Sequence, residues 1–350
     1  MTDSKSRKKI PVVFLASAFL TVLALTVLVN RRTDLEREVR FPFNNGVAYL
    51  LTRGNYLAAA CHDNKVYVWD WNNLASNPRV VEAQSDQAVL SEQADIISTR
   101  RVGARTIVVA NLDNNVNKNI PIEAEDKRVY LAASRNGRTI AAVLSKADNV
   151  AADAGEEVVF VDCNAGLVRP VTELAKASGS QITSMAISDE GDLAVLTGEK
   201  AGQGWAVLVN IENRQIVWAE KFPDFKKIRN SVFSTDDRVL YIRGTDSSVQ
   251  ILDTRTGKVL KKLLPTSENK STVGEQHVQT LATSNDGRLM AASISNNVYV
   301  WELTKEKVIL HKVPGHKLVS GLAFSPDSRY LATSDSRQGG TIKIWRIPKR

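Results

Sequence analysis

The chain has 350 residues, enough for a large core, with a formal net charge of +8 and only two cysteines. Two cysteines exclude a disulfide framework, and Cys61 and Cys163 fall at different places in the pattern below, so both read as core thiols. Helix-period patterns are rare after residue 40, whereas short Val/Ile-rich runs with turn residues between them recur throughout, which favours an all-β domain over helical classes.

A basic tail, "MTDSKSRKK", occupies residues 1–9. It is followed by "IPVVFLASAFLTVLALTVLVN", residues 10–30, without a charge. About twenty residues at 1.5 Å each span a hydrocarbon core of roughly 30 Å. A cleaved signal peptide has a shorter apolar region and an A-x-A-like site beyond it. Here the A-x-A triplet, residues 16–18, lies inside the apolar run, and no lipobox-like cysteine follows. Residues 10–30 therefore read as a retained transmembrane helix, a signal-anchor. Lys5, Arg7, Lys8 and Lys9 precede it, and Arg31, Arg32, Arg37 and Arg40 follow it. The more compact basic flank, with the free amine, favours a cytoplasmic N-terminus and the bulk of the chain on the periplasmic or lumenal side.

Beyond a short linker, residues 31–35, strand ends that resemble one another recur. They are "KVYVWDW", "TIVVANL", "EVVFVDC", "AVLVNI", "SVQILDT", "NVYVWEL" and "TIKIWRI", at intervals of 41 to 51 residues. Periods of about 40–50 residues with four strands each mark β-propeller blades. The strands of a blade are named a to d from the central channel outward. The a–b connections are tight: "RNGR", "DEGD", "TDDR", "NDGR" and "PDSR". Asn, Asp and Gly suit turn geometry there. The charge runs "EDKR" and "DAGEE" read as solvated loops.

The repeats resemble the WD40 family. The last blade has Gly315 and His316, then "LAFSPDSRYLATSD", then Ile344 and Trp345. The blade before it has "LATSNDGRLMAAS" with Trp301 and Glu302, and the first has Trp69 and Asp70. Blades 2 to 5 lack both the Gly-His and Trp-Asp pairs, and "DTRTGKVL" in blade 5 looks equally like quinoprotein-type propellers. The resemblance covers nearly all of residues 35–350. It implies a seven-bladed propeller over 36–350, preceded by the one transmembrane helix. It also implies a buried tetrad of His316, Thr333, Asp335 and Trp345.

Six blades continue from strand c into a d strand, but after the seventh only "PKR" remains. The unassigned run "LEREVRF" before blade 1 is inferred to close blade 7 through residues 36–41, which protects an otherwise open edge. WD40-like propellers close this way. In such a blade the d strand rises from the bottom face, which carries the a–b turns, so the membrane helix joins at the bottom rim. Arg138, Arg238, Arg288 and Arg329 in those turns, with Lys349 and Arg350, are expected to face the membrane.

The b–c and d–a connections on the opposite, top face are long and irregular, as in residues 145–157, 173–181, 198–205, 265–276 and 335–341. Long loops on a rigid face are where binding usually resides. Lys146, Asp148, Asp153, Glu156, Lys200, Gln203, Arg337 and Gln338 are the candidate partner-binding residues. The four histidines lack metal-ligand spacing, and no nucleophile, phosphate-loop or paired-carboxylate motif occurs. No catalytic residue, metal or cofactor is assigned, and no small-molecule substrate is expected. Residues 41–220 hold 16 Lys and Arg against 22 Asp and Glu, and residues 221–350 hold 22 against 12. That split suggests an asymmetric protein partner rather than nucleic acid, which favours a continuous basic stripe. The leading expectation is a membrane-tethered, non-enzymatic protein–protein interaction scaffold, an accessory subunit of a membrane complex. The alternatives are a periplasmic propeller enzyme or ligand-binding protein, and an envelope-assembly factor resembling quinoprotein-type propellers.

Overall fold

The computed structural model describes residues 35–40, 46–83, 88–93, 95–100, 102–114, 116–146, 156–171, 181–245, 248–263, 280–294, 297–305, 307–311, 319–336 and 341–348. They form seven four-stranded blades. Blade 1 is β2 (Val47–Arg53), β3 (Tyr56–Cys61), β4 (Lys65–Asp70) and β5 (Arg79–Glu82), hydrogen-bonded in that order. Blades 4, 5 and 6 repeat the plan. Blade 4 is β13 (Gln181–Ile187), β14 (Leu193–Lys200), β15 (Gln203–Asn210) and β16 (Ile216–Phe222). Blade 5 is β17 (Ile228–Phe233), β18 (Val239–Gly244), β19 (Val249–Asp253) and β20 (Val259–Leu263). Blade 6 is β21 (Leu281–Thr283), β22 (Leu289–Ile294), β23 (Asn297–Glu302) and β24 (Lys307–His311).

Blade 7 consists of β25 (Val319–Phe324), β26 (Tyr330–Asp335) and β27 (Thr341–Arg346), and its outer strand is β1 (Leu35–Arg40). β1 runs antiparallel to β27, from Leu35 opposite Trp345 to Arg40 opposite Thr341. The last blade thus borrows its fourth strand from the other end of the sequence.

Blades 2 and 3 depart from expectation. β6 (Ala88–Leu90), β7 (Asp95–Thr99), β8 (Val102–Asn111), β9 (Asn117–Ala133), β10 (Thr139–Lys146), β11 (Glu157–Asp162) and β12 (Leu167–Pro170) make one seven-stranded sheet. The 17-residue β9 is the outer strand of blade 2 and then the inner strand of blade 3. The "EDKR" run is therefore strand, not loop. Ala124 and Val129 on either side of it are fully buried in the core between these blades, which holds the intervening charged residues in extended register. Pro121 is tolerated because that half of β9 is an outer edge, where no further strand needs its missing N–H.

The core is distributed. Each of seven apolar clusters lies between two consecutive blades, and one of them joins blade 7 to blade 1. Strand periodicity explains the division. On β10, Ala141 and Val143 face blade 4, while Ile140, Ala142 and Leu144 face blade 2. A strand that reads as a continuous apolar run thus serves two cores at once. Where the ring closes, the blades meet backbone to backbone. A Cβ on Gly321 of β25 would lie 2.6 Å from the Leu50 amide nitrogen of blade 1, so only glycine fits.

The transmembrane helix expected at residues 10–30 lies outside the described residues. Among the described residues, no helix is long and apolar enough to cross a membrane.

Candidate functional site

The a–b turns of blades 3, 5, 6 and 7 share one construction. In blade 7 the Ser325 hydroxyl donates to Asp327 Oδ1 at 2.6 Å, and the Arg329 amide donates to the same oxygen at 3.1 Å. The Tyr330 amide then donates to Ser325 Oγ at 2.9 Å. The same three contacts tie Ser284, Asp286, Arg288 and Leu289 in blade 6, and Ser234, Asp236, Arg238 and Val239 in blade 5. One residue per turn sits in the left-handed region: Gly137, Gly191, Asp237, Gly287 and Ser328.

This construction places Arg138, Arg238, Arg288 and Arg329 on the bottom face, all exposed. It also modifies their charge. Arg329 Nε lies 2.5 Å from Asp327 Oδ2, Arg288 2.7 Å from Asp286, and Arg238 4.0 Å from Asp236. Burial pushes the Asp327 carboxyl up, but the Ser325 hydroxyl and Arg329 outweigh it and hold it below its ordinary range. Three of the four arginines thus carry their own counter-ion. In the turn of Arg138 the corresponding position is the neutral Asn136. Lys349 and Arg350 lie outside the described residues.

At the axis, the inner strands of all seven blades surround a cavity of about 280 Å³. Leu51, Val89, Leu131, Met185, Val232 and Ala282 contribute its apolar wall. Arg135 sits at the bottom mouth and ties three blades to its own. It hydrogen-bonds Glu92 of blade 2, Asp189 of blade 4 at 3.0 Å, and Asn285 of blade 6 at 3.4 Å. Sequence reading passed over Arg135. Its signal was a second arginine in "RNGR", at the position nearest the axis.

A second cavity of about 470 Å³ opens on the bottom face between blades 6 and 7. It is lined by Arg288, Leu289, Glu302, Ile309, Asp327, Ser328, Arg329, Ile347 and Pro348. No motif marked it, because it exists only where two blades meet.

On the top face, Glu156 is the best-defined candidate. Its Oε2 accepts the Ile182 amide at 2.6 Å, joining blade 3 to the inner strand of blade 4. Burial pushes its carboxyl up to about 7, against that hydrogen bond and the charge of Lys227. Lys200 and Gln203 pair at the tip of the β14–β15 hairpin, whose Ala201 and Gly202 have φ of 50° and 75°. Lys146 ends β10, opposite Lys127 in register. Asp148, Asp153, Arg337 and Gln338 lie outside the described residues.

Of the tetrad, Trp345 Nε1 donates to Thr333 Oγ1 at 2.9 Å, both buried. Asp335 is buried two residues further along β26, opposite Val319. His316 lies outside the described residues. Cys61 and Cys163 are free, buried thiols, each pushed up to about 12 by burial. No group of three metal-ligating side chains occurs among the described residues.

The WD domain, G-beta repeat family model matches residues 45–70 and 307–346. The U3 small nucleolar RNA-associated protein 18 homolog of Homo sapiens is 23% identical over 269 residues, covering 70% of this chain and 44% of that protein. WD repeat domain-containing protein 83 of Rattus norvegicus is 26% identical over 114 residues, 33% of this chain and 34% of that protein. The Protein LST8 homolog of Drosophila melanogaster is 38% identical over 77 residues, 20% of this chain and 24% of that protein. The chain spans less than half the length of these relatives. Among solved structures, the Cps50 (Swd1) β-propeller domain of Myceliophteria thermophila superposes with a TM-score of 0.68 at 17% identity. The match covers 90% of this chain and 99% of that one, and it speaks to the fold alone.

Proposed function

For a chain that carries WD40 repeats in a seven-bladed ring, we propose the role of a protein-docking scaffold whose top face binds the partner and whose residues 10–30 hold it at a membrane. The observation that carries this reading is the contrast between the two faces. The a–b turns are short and internally hydrogen-bonded, and Arg135 bolts several of them together at the axis. On the other face, the ends of β10 and β11, of β12 and β13, and of β20 and β21 are separated by long stretches of sequence, and the inter-blade cores keep those strand ends at fixed spacing.

The partner is read as a protein, within a membrane or periplasmic complex. The chain outside the membrane is split between an acidic part, 41–220, and a basic part, 221–350. A protein with a complementary split gains orientation from it. No catalytic role, cofactor or nucleic-acid ligand is proposed. The tether leads into β1, and Leu35 lies at the bottom end of blade 7 beside Trp345. The five residues after Asn30 reach at most roughly 17 Å. The bottom face is therefore read as turned toward the bilayer, with the propeller on the periplasmic or lumenal side. Because three bottom arginines hold carboxylates of their own turns, their attraction to anionic lipid is weaker than four free charges would give.

The test is affinity capture of the full chain from gently solubilised membranes, comparing wild type with Lys200→Glu and Glu156→Lys on the top face and Arg138→Glu on the bottom. A specific co-purifying protein should be lost with the top-face changes and kept with the bottom one. Loss confined to Arg138→Glu would mean that docking uses the other face.

A further inference from the structure

The left-handed position of each a–b turn points at the neighbouring blade, and what stands there differs around the ring. A Cβ on Gly137 would meet Ser91 of blade 2 at 2.6 Å, and one on Gly191 would meet Thr139 of blade 3 at 2.9 Å. In blade 5 the residue is Asp237, whose carboxylate accepts the Asp189 and Glu190 amides of blade 4 at 2.9 and 3.3 Å. Blade 7 is different. Ser328 has φ 56°, is 5% exposed, and its hydroxyl has no hydrogen-bond partner among the described residues. A buried hydroxyl without a partner is costly, and it lines the 470 Å³ groove between blades 6 and 7.

The rest of the groove has three kinds of surface. Leu289, Ile309, Ile347 and Pro348 are apolar, Arg288 and Arg329 are cationic, and Glu302 and Asp327 are anionic. Glu302 meets Lys305 through Oε1 at 3.0 Å and Asp327 meets Arg329, but a carboxylate has about four lone-pair sites, so each can accept a further N–H. The arginines are not exhausted by their own turns. Arg329 meets Asp327 through Nε, and Arg288 meets Asp286 through Nε and one terminal nitrogen. A guanidinium has five N–H donors, so each keeps donors for a second anion. A purely anionic ligand would meet Glu302 and Asp327 as repulsion, and a purely cationic one would meet the arginines. The mixture fits a ligand with both charges and an apolar part.

We propose that this groove binds a lipid headgroup carrying a phosphate and a primary ammonium, of the phosphoethanolamine type. The phosphate takes the Ser328 hydroxyl and the free donors of Arg288 and Arg329. The ammonium donates to Glu302 and Asp327, and the start of the acyl chains lies on the apolar side. The proposal rests on the reading that residues 10–30 hold the chain at a bilayer. The entry of β1 beside Trp345 in blade 7 puts that tether on the blade that forms one wall of the groove.

The test places the full chain in nanodiscs of mixed phosphatidylcholine, phosphatidylethanolamine and phosphatidylglycerol, and identifies retained lipid by native mass spectrometry. Phosphatidylethanolamine should be retained about tenfold over phosphatidylcholine, because the choline nitrogen has no N–H for Glu302 or Asp327. Ser328→Gly should lower the retention of both phosphatidylethanolamine and phosphatidylcholine, whose shared phosphate loses the hydroxyl, without loss of melting temperature, since glycine suits a positive φ. Ligand-observed NMR with the soluble headgroup glycerophosphoethanolamine, against glycerol 3-phosphate, should show the former binding more tightly. Equal retention of the three lipids overturns the proposal. So does preference for phosphatidylglycerol, which would make the arginines a plain basic patch, or unchanged phosphatidylethanolamine retention in Ser328→Gly. Alkaline carbonate extraction checks the tether separately. A chain released by carbonate sinks the membrane reading whatever the groove binds.

Discussion

Replacing Thr333 by Val keeps the side-chain shape but removes the hydroxyl that accepts from Trp345 Nε1 at 2.9 Å. Thr333 is 0% exposed and Trp345 3%, so the indole N–H has no water to turn to. A buried donor left without a partner costs about 1–3 kcal/mol. In a domain of this size that lowers the melting temperature by about 1.5–4.5 °C. The single change alone does not isolate the bond, because Val also alters packing. Trp345→Phe removes the donor, so in that background Thr333→Val should be nearly neutral, and the cycle should give a coupling energy of about 1 kcal/mol or more. Urea unfolding of residues 33–350, followed by tryptophan fluorescence and circular dichroism, measures all four proteins. If Thr333→Val costs the same in the Trp345→Phe background as in the wild type, the hydrogen bond contributes nothing, and the buried network implied for blade 7 does not hold the sheet together.

Three further outcomes follow from the geometry. A chain beginning at residue 43 lacks β1, which pairs with β27 and packs Val39 into the core between blades 7 and 1. It should melt well below one beginning at residue 33 and aggregate through the exposed β27 edge, and coincident melting and light-scattering curves would refute the closure. Arg135→Met leaves Glu92, Asp189 and Asn285 without their shared cation at the bottom mouth. A loss of about 1–3 kcal/mol in unfolding free energy is expected, and no loss would mean that the bolt is idle. Glu156 has a folded pKa raised to about 7 by burial, above its unfolded value, so the folded state holds the proton more tightly. Its favourable contribution is present below about pH 4.5 and is lost as pH rises through 7. Wild type should therefore lose about 1–2 kcal/mol relative to Glu156→Gln between pH 5 and 8, and parallel stability curves for the two proteins would contradict the assignment.

The blade number, the tight Asp/Asn/Gly turns and the need for a closing strand were all legible in the residues, because each depends on local pattern. Strand alternation, turn chemistry and a repeat of 41 to 51 residues are short-range properties that a chain carries before it folds. The fusion of blades 2 and 3 was not legible. "EDKR" has the composition of a loop, and it is extended only because Ala124 and Val129 on either side of it are pinned in one inter-blade core. The direction of side-chain charge was also decided late. Four arginines on matching turns read as a basic face, but the carboxylate of Asp236, Asp286 or Asp327, two residues earlier, is turned toward three of them by a serine hydroxyl. The second arginine of "RNGR" was visible in the chain, but the partners that make Arg135 a bolt, and the Ser328 groove, were not. Arg135 and Asn285 are 150 residues apart, and Ser328 stands where glycines occur in three other blades. Neighbours of that kind are created by the angle at which separate sheets meet around an axis. Sequence periodicity specifies each sheet, but that angle, and with it each cavity and each contact across the axis, exists only once all seven blades are packed.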